Sequence, residues 1–93
     1  MDNKERFIKS LHVIACLNCI LSSLEESLGV IVDDKAFDGA LYKAYDGPCA
    51  IATDCLKFNN VSDENTVYNR ILDVTLDNYE DFAEEVWEEY GNT

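Results

Sequence analysis

Basic residues are scarce in this chain and are absent from its last part. The 93 residues include seven Lys and Arg against 19 Asp and Glu, giving a net charge of −12, and no basic residue follows Arg70. Nucleic acids and anionic membrane surfaces would repel such a chain, so direct binding to DNA, RNA or a membrane is not expected. We expect instead a partner with a positively charged surface.

Proline, glycine and histidine are also rare. One proline and four glycines leave no low-complexity linker, and 93 residues with 47% apolar content suffice for one modest core. We therefore expect a single domain over residues 1–93. The chain has one histidine, His12, and lacks a Gly-rich phosphate loop, a nucleophile elbow and a His-Glu-x-x-His motif. These absences argue against an enzyme, and we predict no catalytic residues.

No uninterrupted apolar run reaches the roughly 20 residues that cross a bilayer. Lys4, Arg6 and Lys9 precede a mainly apolar stretch, as in a secretion signal, but His12 and Asn18 interrupt that stretch. No cleavage site of small residues follows it. We expect a soluble, cytoplasmic protein.

Four cysteines are even in number, but in a cytosolic chain free thiols behave as small buried hydrophobes, so disulfides are not required. His12, Cys16 and Cys19 would share one face of a helix, and Cys49 or Cys55 would complete four zinc ligands. This spacing differs from the common zinc motifs, in which the close cysteine pair lies on a turn. We expect no metal and no cofactor.

Apolar spacing predicts an all-α fold, a compact single-domain bundle of four to five helices with a long first helix. Asp2 and Glu5 have the spacing of a capping box, and apolar residues then recur at helical spacing as far as Gly29. The predicted core side of this helix consists of Phe7, Ile14, Leu17, Leu21, Leu24 and Leu28.

A second helix should begin after Asp33 or Asp34 and end at Asp46-Gly47-Pro48, because proline lacks a backbone N–H and clashes with the preceding turn. The following segment, residues 48–58, is ambiguous, and we favour a helix that starts at its proline. The alternative is an α+β fold with short strands near residues 30–32 and 49–53.

Two further helices complete the predicted fold. Ser62 should cap the first of them. Asp77 and Glu80 have the spacing of a second capping box, which predicts an acidic C-terminal helix over about residues 78–90. The apolar side of that helix carries Tyr79, Phe82, Ala83, Val86, Trp87 and Tyr90.

The other side of the C-terminal helix carries two rows of carboxylates spaced four residues apart. Like charges at this spacing cost a few tenths of a kcal/mol per pair, and acids late in a helix oppose its macrodipole. Each row rises about 6 Å per step, close to the separation of successive phosphates along a nucleic-acid strand. Many acidic faces are merely solvated, but this one opposes helix stability, which favours a binding role. The rows are Glu80, Glu84 and Glu88, and Asp81, Glu85 and Glu89.

These features predict a small acidic inhibitor that occludes the basic, nucleic-acid-binding surface of a nuclease or another nucleic-acid-handling complex. Its partner-binding residues would be the two rows together with Asp77 and Tyr90, the tyrosine serving as an aromatic anchor. Phage inhibitors of CRISPR effectors (anti-CRISPR proteins) and of restriction enzymes, and immunity proteins that neutralise nuclease toxins, have comparable size and charge, although no motif is shared.

The alternative is a helical adaptor or scaffold that works as a homodimer and whose acidity serves only solubility. It would bury the second apolar side of the first helix, which carries Ile8, Ala15, Cys16 and Cys19. The inhibitor itself is compatible with either a monomer or a homodimer.

Overall fold

The protein is described by a computed structural model that covers residues 2–28 and 35–91. The all-α prediction is confirmed, and the described residues form four helices and no strand. The helices are α1 (Asn3–Leu28), α2 (Lys35–Asp54), α3 (Val61–Leu72) and α4 (Tyr79–Tyr90).

Helix α1 lies at the centre and contacts α2, α3 and α4. It begins as predicted, because the side chain of Asp2 accepts a hydrogen bond from the Glu5 N–H at 2.8 Å. Its core side is rotated from the predicted one: Phe7 and Ile14 are buried as expected, but Leu11 is buried with them. The later leucines of the predicted core side are only half-buried, because the packing is concentrated on the N-terminal half of α1. The described ones are Leu17, Leu21 and Leu24.

The rest of the core comes from all the other helices and from the segments that follow α2 and α3. The residues that α2 contributes to the core have small side chains. Helix α2 can therefore pack closely against α1. The buried residues outside α1 are Cys49, Ala52, Cys55, Leu56, Val67, Ile71, Val74, Ala83 and Val86.

Helix α2 does not end at Asp46-Gly47-Pro48 as predicted but continues to Asp54. Proline here removes one hydrogen bond, the one that would reach the Ala44 carbonyl. The buried side chains of Cys49 and Ala52 lie in the next turn, and their burial against α1 favours continuation of the helix. The strand alternative at 49–53 is therefore wrong. The favoured prediction of a separate helix starting at Pro48 is also wrong, because residues 48–54 are the last part of α2 and residues 55–58 are not helical. The strand near 30–32 and the caps at Asp33 or Asp34 lie outside the described residues.

The N-terminal caps of α3 and α4 also differ from the prediction. Asn60 rather than Ser62 caps α3, since its side-chain oxygen accepts a backbone N–H three residues later at 2.8 Å. Asn78 precedes α4 and makes no capping hydrogen bond with its side chain. The N-cap position is Asn78 rather than Asp77, so the capping box predicted from Asp77 and Glu80 is not formed.

The C-terminal end of α4 is fixed to the segment after α2. The Lys57 N–H donates to the Tyr90 carbonyl at 2.8 Å, and Leu56 and Gly91 form an isolated β-bridge. Gly91 ends α4 as predicted. A Cβ at this position would lie 2.4 Å from the carbonyl oxygen of Trp87, so the close return of the chain requires glycine.

One side-chain amide connects α1, α2 and the end of α3. The Asn18 Nδ2 donates to the carbonyls of Leu72 at 2.9 Å and Val74 at 2.8 Å, and the Tyr45 hydroxyl donates to Asn18 Oδ1. Leu72 is the last residue of α3, where helix carbonyls lack partners within the helix. Asn18 therefore supplies a donor where the backbone has none.

By length and composition alone, α1 is apolar enough to cross a membrane. Its stretch Asn3–Glu26 reaches a mean hydropathy of 1.6, and 28% of the 18-residue window is buried. His12 and Asn18 interrupt this stretch, which therefore contains no uninterrupted apolar run of that length. Signal sequences and the central helices of soluble proteins share this property. It therefore does not show where the protein is located.

Replacing Asn18 with alanine should destabilise the protein, because the carbonyls of Leu72 and Val74 would lose their side-chain donor. We expect a loss of about 2–3 kcal/mol in the free energy of unfolding, and about 1 kcal/mol or less for Tyr45→Phe. Urea denaturation followed by circular dichroism measures both. The control is Asn69→Ala at an exposed position of α3. An Asn18→Ala loss no larger than that of the control would contradict the proposed role.

Replacing Pro48 with alanine should stabilise the protein by about 1–3 kcal/mol, because alanine has the N–H that can bond the Ala44 carbonyl. Gly47→Ala is the matched control: an added Cβ meets nothing within 4 Å, so it reports helix propensity alone, about 1 kcal/mol. Thermal unfolding compares the two variants. A lower melting temperature for Pro48→Ala would show that the proline ring contributes more through packing than the missing hydrogen bond costs.

Candidate functional site

The acidic residues of α4 occupy the side of the helix that faces away from the core. Ala83 and Val86 are buried against the rest of the protein, and the aromatic residues beside them are half-buried. Because side chains three and four residues apart share one side of a helix, the two carboxylate rows lie together on the opposite side. We call this surface the acidic face, and all six of its residues are exposed: Glu80, Asp81, Glu84, Glu85, Glu88 and Glu89.

Two carboxylates in the middle of the acidic face form ion pairs with other helices. Lys4 Nζ of α1 lies 3.1 Å from Glu84 Oε2, and Arg70 Nη2 of α3 lies 3.1 Å from Glu85 Oε1. The side chains remain 43–64% exposed, so each pair contributes about 1 kcal/mol or less. Sequence spacing within α4 gave no sign of these pairs, since Lys4 is 80 residues from Glu84.

The other four carboxylates of the acidic face lie on its two ends. Glu80 and Asp81 are in the first turn of α4, where the helix dipole favours negative charge. Glu88 and Glu89 are in the last turn, where it opposes negative charge and where α4 has no basic residue. Within the described residues none of the four forms an ion pair. Asp77, also predicted as a site residue, is exposed and precedes the helix.

Tyr90 is held in place at the end of α4 rather than projecting freely. Its ring is half-buried, and its centroid lies 5.4 Å from that of Phe58. Burial, followed by the nearby carboxylates of Asp63 and Glu89, raises the pKa of Tyr90, so its hydroxyl is protonated and can donate at neutral pH. Tyr90 therefore presents only part of its ring to a partner.

Two of the remaining aromatic residues of α4, Tyr79 and Trp87, contact α1. The rings of Trp87 and Phe7 have centroids 5.7 Å apart. The Tyr79 ring stacks on His12, with a centroid distance of 4.8 Å and an interplanar angle of 6°. These contacts fix the orientation of α4 and thereby direct the acidic face outwards.

The cysteines and His12 do not assemble as the zinc alternative required. Cys49 and Cys55 are buried, Cys16 is half-buried and Cys19 is exposed on α1. Within the part of the chain that the structure describes, no three His, Cys, Asp or Glu side chains are placed to hold a metal ion. Burial raises the pKa of the Cys49 and Cys55 thiols, which keeps them protonated and unreactive.

Alkylation should distinguish the four thiols. We expect iodoacetamide to label Cys19 first and Cys16 next, while Cys49 and Cys55 remain unlabelled until the protein unfolds, because the thiolate is the reactive form and burial disfavours it. Tandem mass spectrometry, which locates the label within each tryptic peptide, measures the order, and labelling in denaturant is the control in which the rates should converge. Rapid native labelling of Cys49 would contradict the observed packing.

Comparison of the chain with protein-family models, with curated proteins and with solved structures gave no match. The functional argument therefore depends on the fold, the acidic face and the charges around it.

Proposed function

We propose that this is an acidic inhibitor protein that binds the basic, nucleic-acid-binding surface of a target protein and blocks it. The carboxylates of α4 would take the positions of nucleic-acid phosphates. The observation that carries the proposal is the exposure of all six carboxylates on one side of a helix that has no basic residue. Targets that fit this chemistry are nucleases and other nucleic-acid-handling complexes, such as CRISPR effectors, restriction enzymes and nuclease toxins in the cytoplasm.

The placement of charge supports binding over simple solvation. Glu84 and Glu88 lie four residues apart, as do Glu85 and Glu89, and these like-charge pairs each cost a few tenths of a kcal/mol. The last-turn glutamates also oppose the helix dipole. Lys4 and Arg70 offset part of this repulsion from neighbouring helices. A cost of this kind is characteristic of surfaces selected for function.

The dimensions of the acidic face suit a row of phosphates. From Glu80 to Glu88 one carboxylate row extends about 12 Å along the helix axis, in two steps of about 6 Å. The second row runs beside it, one residue further along the helix. Lys and Arg side chains that normally contact successive phosphates could therefore contact successive carboxylates.

The two existing ion pairs are compatible with this mechanism. Both are exposed, and exposed ion pairs have small net energies, so basic side chains of a target can replace Lys4 or Arg70 at little cost. The unpaired ends of the acidic face would make the first contacts. With a net charge of −12 the protein would be attracted to a basic surface at long range, most strongly at low salt.

The test is competition with nucleic acid. A fluorescently labelled DNA or RNA is bound to each of a panel of purified CRISPR effectors, restriction enzymes and nuclease toxins, and its displacement by the protein is followed by anisotropy. We expect displacement from at least one target at about 50 mM salt. Direct binding of the labelled protein to that target, measured without nucleic acid, should weaken about tenfold or more between 50 and 200 mM salt. Failure to displace nucleic acid from any member, or direct binding insensitive to salt, would reject the proposal for this panel.

The double variant Glu88→Lys and Glu89→Lys should weaken displacement about 10- to 100-fold, because it places two cations against a basic surface. It leaves the two ion pairs of α4 intact. The matched control is Asp46→Lys and Asp54→Lys, the same charge change at exposed positions of α2, with an expected effect below about threefold. Equal losses for both variants would show that net charge, not the acidic face, governs binding.

The same variant provides its own stability control. Lysines in the last turn of α4 favour the helix dipole and replace the like-charge repulsion from Glu84 and Glu85, four residues earlier, with attraction. The melting temperature of Glu88→Lys/Glu89→Lys should therefore equal or exceed that of the wild type. A loss of displacement accompanied by unchanged or greater stability assigns the loss to the surface.

A further inference from the structure

Two concave surfaces lie beside α2, and they differ in charge. The groove between α1 and α2 is mainly apolar and is edged by Arg6 and Lys9. The second surface is a pocket of about 310 Å³ where α1, α2 and α3 meet. Asp46 is the one charged residue among the described residues that line this pocket. Because opposite charges attract, a small cation would favour the pocket over the groove.

Tyrosine rings and leucine side chains form most of the pocket wall. Three of the five tyrosines in the chain border it, and its volume is at the small end of the range for ligand sites. Tyr42 is 73% exposed and Tyr68 39% exposed, so both rings leave much of their area in contact with water. Exposed aromatic area concentrated around a cavity is typical of a binding site. The rings are Tyr42, Tyr45 and Tyr68, and the leucines are Leu21, Leu41 and Leu72.

The main hydrogen-bonding groups of the pocket are already used within the protein. The Asn18 amide donates to two carbonyls at the end of α3, and its oxygen accepts the Tyr45 hydroxyl. Tyr45 therefore offers a ligand mainly its ring. The pocket has few groups left with which to bind a ligand that needs many hydrogen bonds.

The Asp46 carboxylate lies among the tyrosines. It follows Tyr42 by four residues, about one helical turn, and both line the pocket. Burial, followed by Cys49 and Asp46, raises the pKa of Tyr68, and burial followed by Cys49 raises the pKa of Tyr45. Both hydroxyls are therefore protonated at neutral pH. The pocket thus combines uncharged rings with one carboxylate.

These features favour a quaternary ammonium group over other cations. A guanidinium carries five N–H donors and a primary ammonium three, and a donor that loses water without gaining an acceptor weakens binding. A quaternary ammonium has no N–H, and its methyl groups suit apolar walls. The faces of aromatic rings attract such a cation, and several rings around a cavity are a common way in which proteins bind it.

We propose that this pocket binds a quaternary ammonium group, with the rings of Tyr42 and Tyr68 against its methyl groups and the Asp46 carboxylate balancing its charge. Free small molecules such as choline carry this group, and so does a trimethylated lysine side chain of a protein. The pocket recognises the chemistry that both share, a positive charge enclosed by methyl groups.

The pocket shares no residue with the acidic face of α4, so its ligand does not depend on the proposed inhibitory function. It also shares no residue with the homodimer surface predicted from the sequence. Part of that predicted surface is occupied within the protein, since Ala15 is fully buried and Ile8 packs against the core. Neither residue can form the predicted contact with a second copy.

Choline binding tests the pocket directly. In a titration of the full chain followed by two-dimensional amide NMR, we expect choline to shift the signals of the lining residues with a dissociation constant on the order of 1 mM. The control ligand is the neutral analogue in which a carbon atom replaces the nitrogen of choline, and its affinity should be lower by about tenfold or more. Equal affinity for the two ligands, or no shift at about 20 mM choline, would overturn the proposal.

The kind of cation is tested with two small probes. Tetramethylammonium should bind about fivefold or more tightly than methylguanidinium, because the pocket offers few free acceptors for N–H donors. Equal or tighter binding of methylguanidinium would overturn the choice of a quaternary ammonium.

Asp46→Asn and Asp54→Asn form a matched pair, since each removes one carboxylate from an exposed position of α2. Asp54 does not line the pocket. We expect Asp46→Asn to weaken choline binding about fivefold or more, and Asp54→Asn to weaken it less than about twofold. Equal losses would show that net charge alone attracts choline, which would overturn the assigned site.

Tyr42 tests the role of the rings. Tyr42→Leu removes a ring and should weaken choline binding about threefold or more, whereas Tyr42→Phe keeps the ring and should stay within about twofold of the wild type. Because Tyr42 is mostly exposed, both variants should keep the wild-type melting temperature, which thermal unfolding checks. Unchanged binding by Tyr42→Leu would contradict the contact with this ring.

A short peptide of uncharged residues with one trimethyllysine separates the two sources of the group. Binding tighter than that of choline by about tenfold or more assigns the pocket to a modified protein, and any weaker binding assigns it to a free cation. The same peptide with unmodified lysine is the control and should bind more weakly than choline. If it bound more tightly than the trimethylated peptide, the choice of a quaternary ammonium would be overturned.

Discussion

The fold depends on one side-chain amide, that of Asn18. It donates to two carbonyls at the end of α3 and accepts the Tyr45 hydroxyl of α2, so it joins three helices around the middle of α1. The apolar core brings these helices together without fixing their relative positions along their axes, because burial is non-directional. Hydrogen bonds require specific distances and angles, and the Asn18 amide therefore sets the register of α2 and α3 against α1.

The contacts of α1 with the other helices determine where the charges lie. With α1 at the centre, the contacts of Phe7 and His12 with α4 hold the acidic face outwards, and α2 leaves an apolar groove along another side of α1. The molecule thus separates a carboxylate surface from an apolar surface edged by cations.

The failures of sequence-based prediction have a common origin. Proline after Asp-Gly is a strong local signal to end a helix, but burial of Cys49 and Ala52 outweighs the loss of one hydrogen bond. Asn60 and Ser62 are both good caps, and choosing between them requires the entry angle of the chain, which tertiary packing decides. The core side of α1 was misplaced in the same way, because apolar residues lie on more than one side of it.

The sequence by itself determined the helical class and the two carboxylate rows of α4, since helix periodicity and charge are local properties. Only the tertiary structure decided that Lys4 and Arg70 pair with Glu84 and Glu85, that Asn18 bonds the end of α3, and that Val13 and Ile51 border one groove. Each of these contacts joins residues distant in sequence. Their proximity follows from how the helices pack against one another, a property that no local pattern of residues contains.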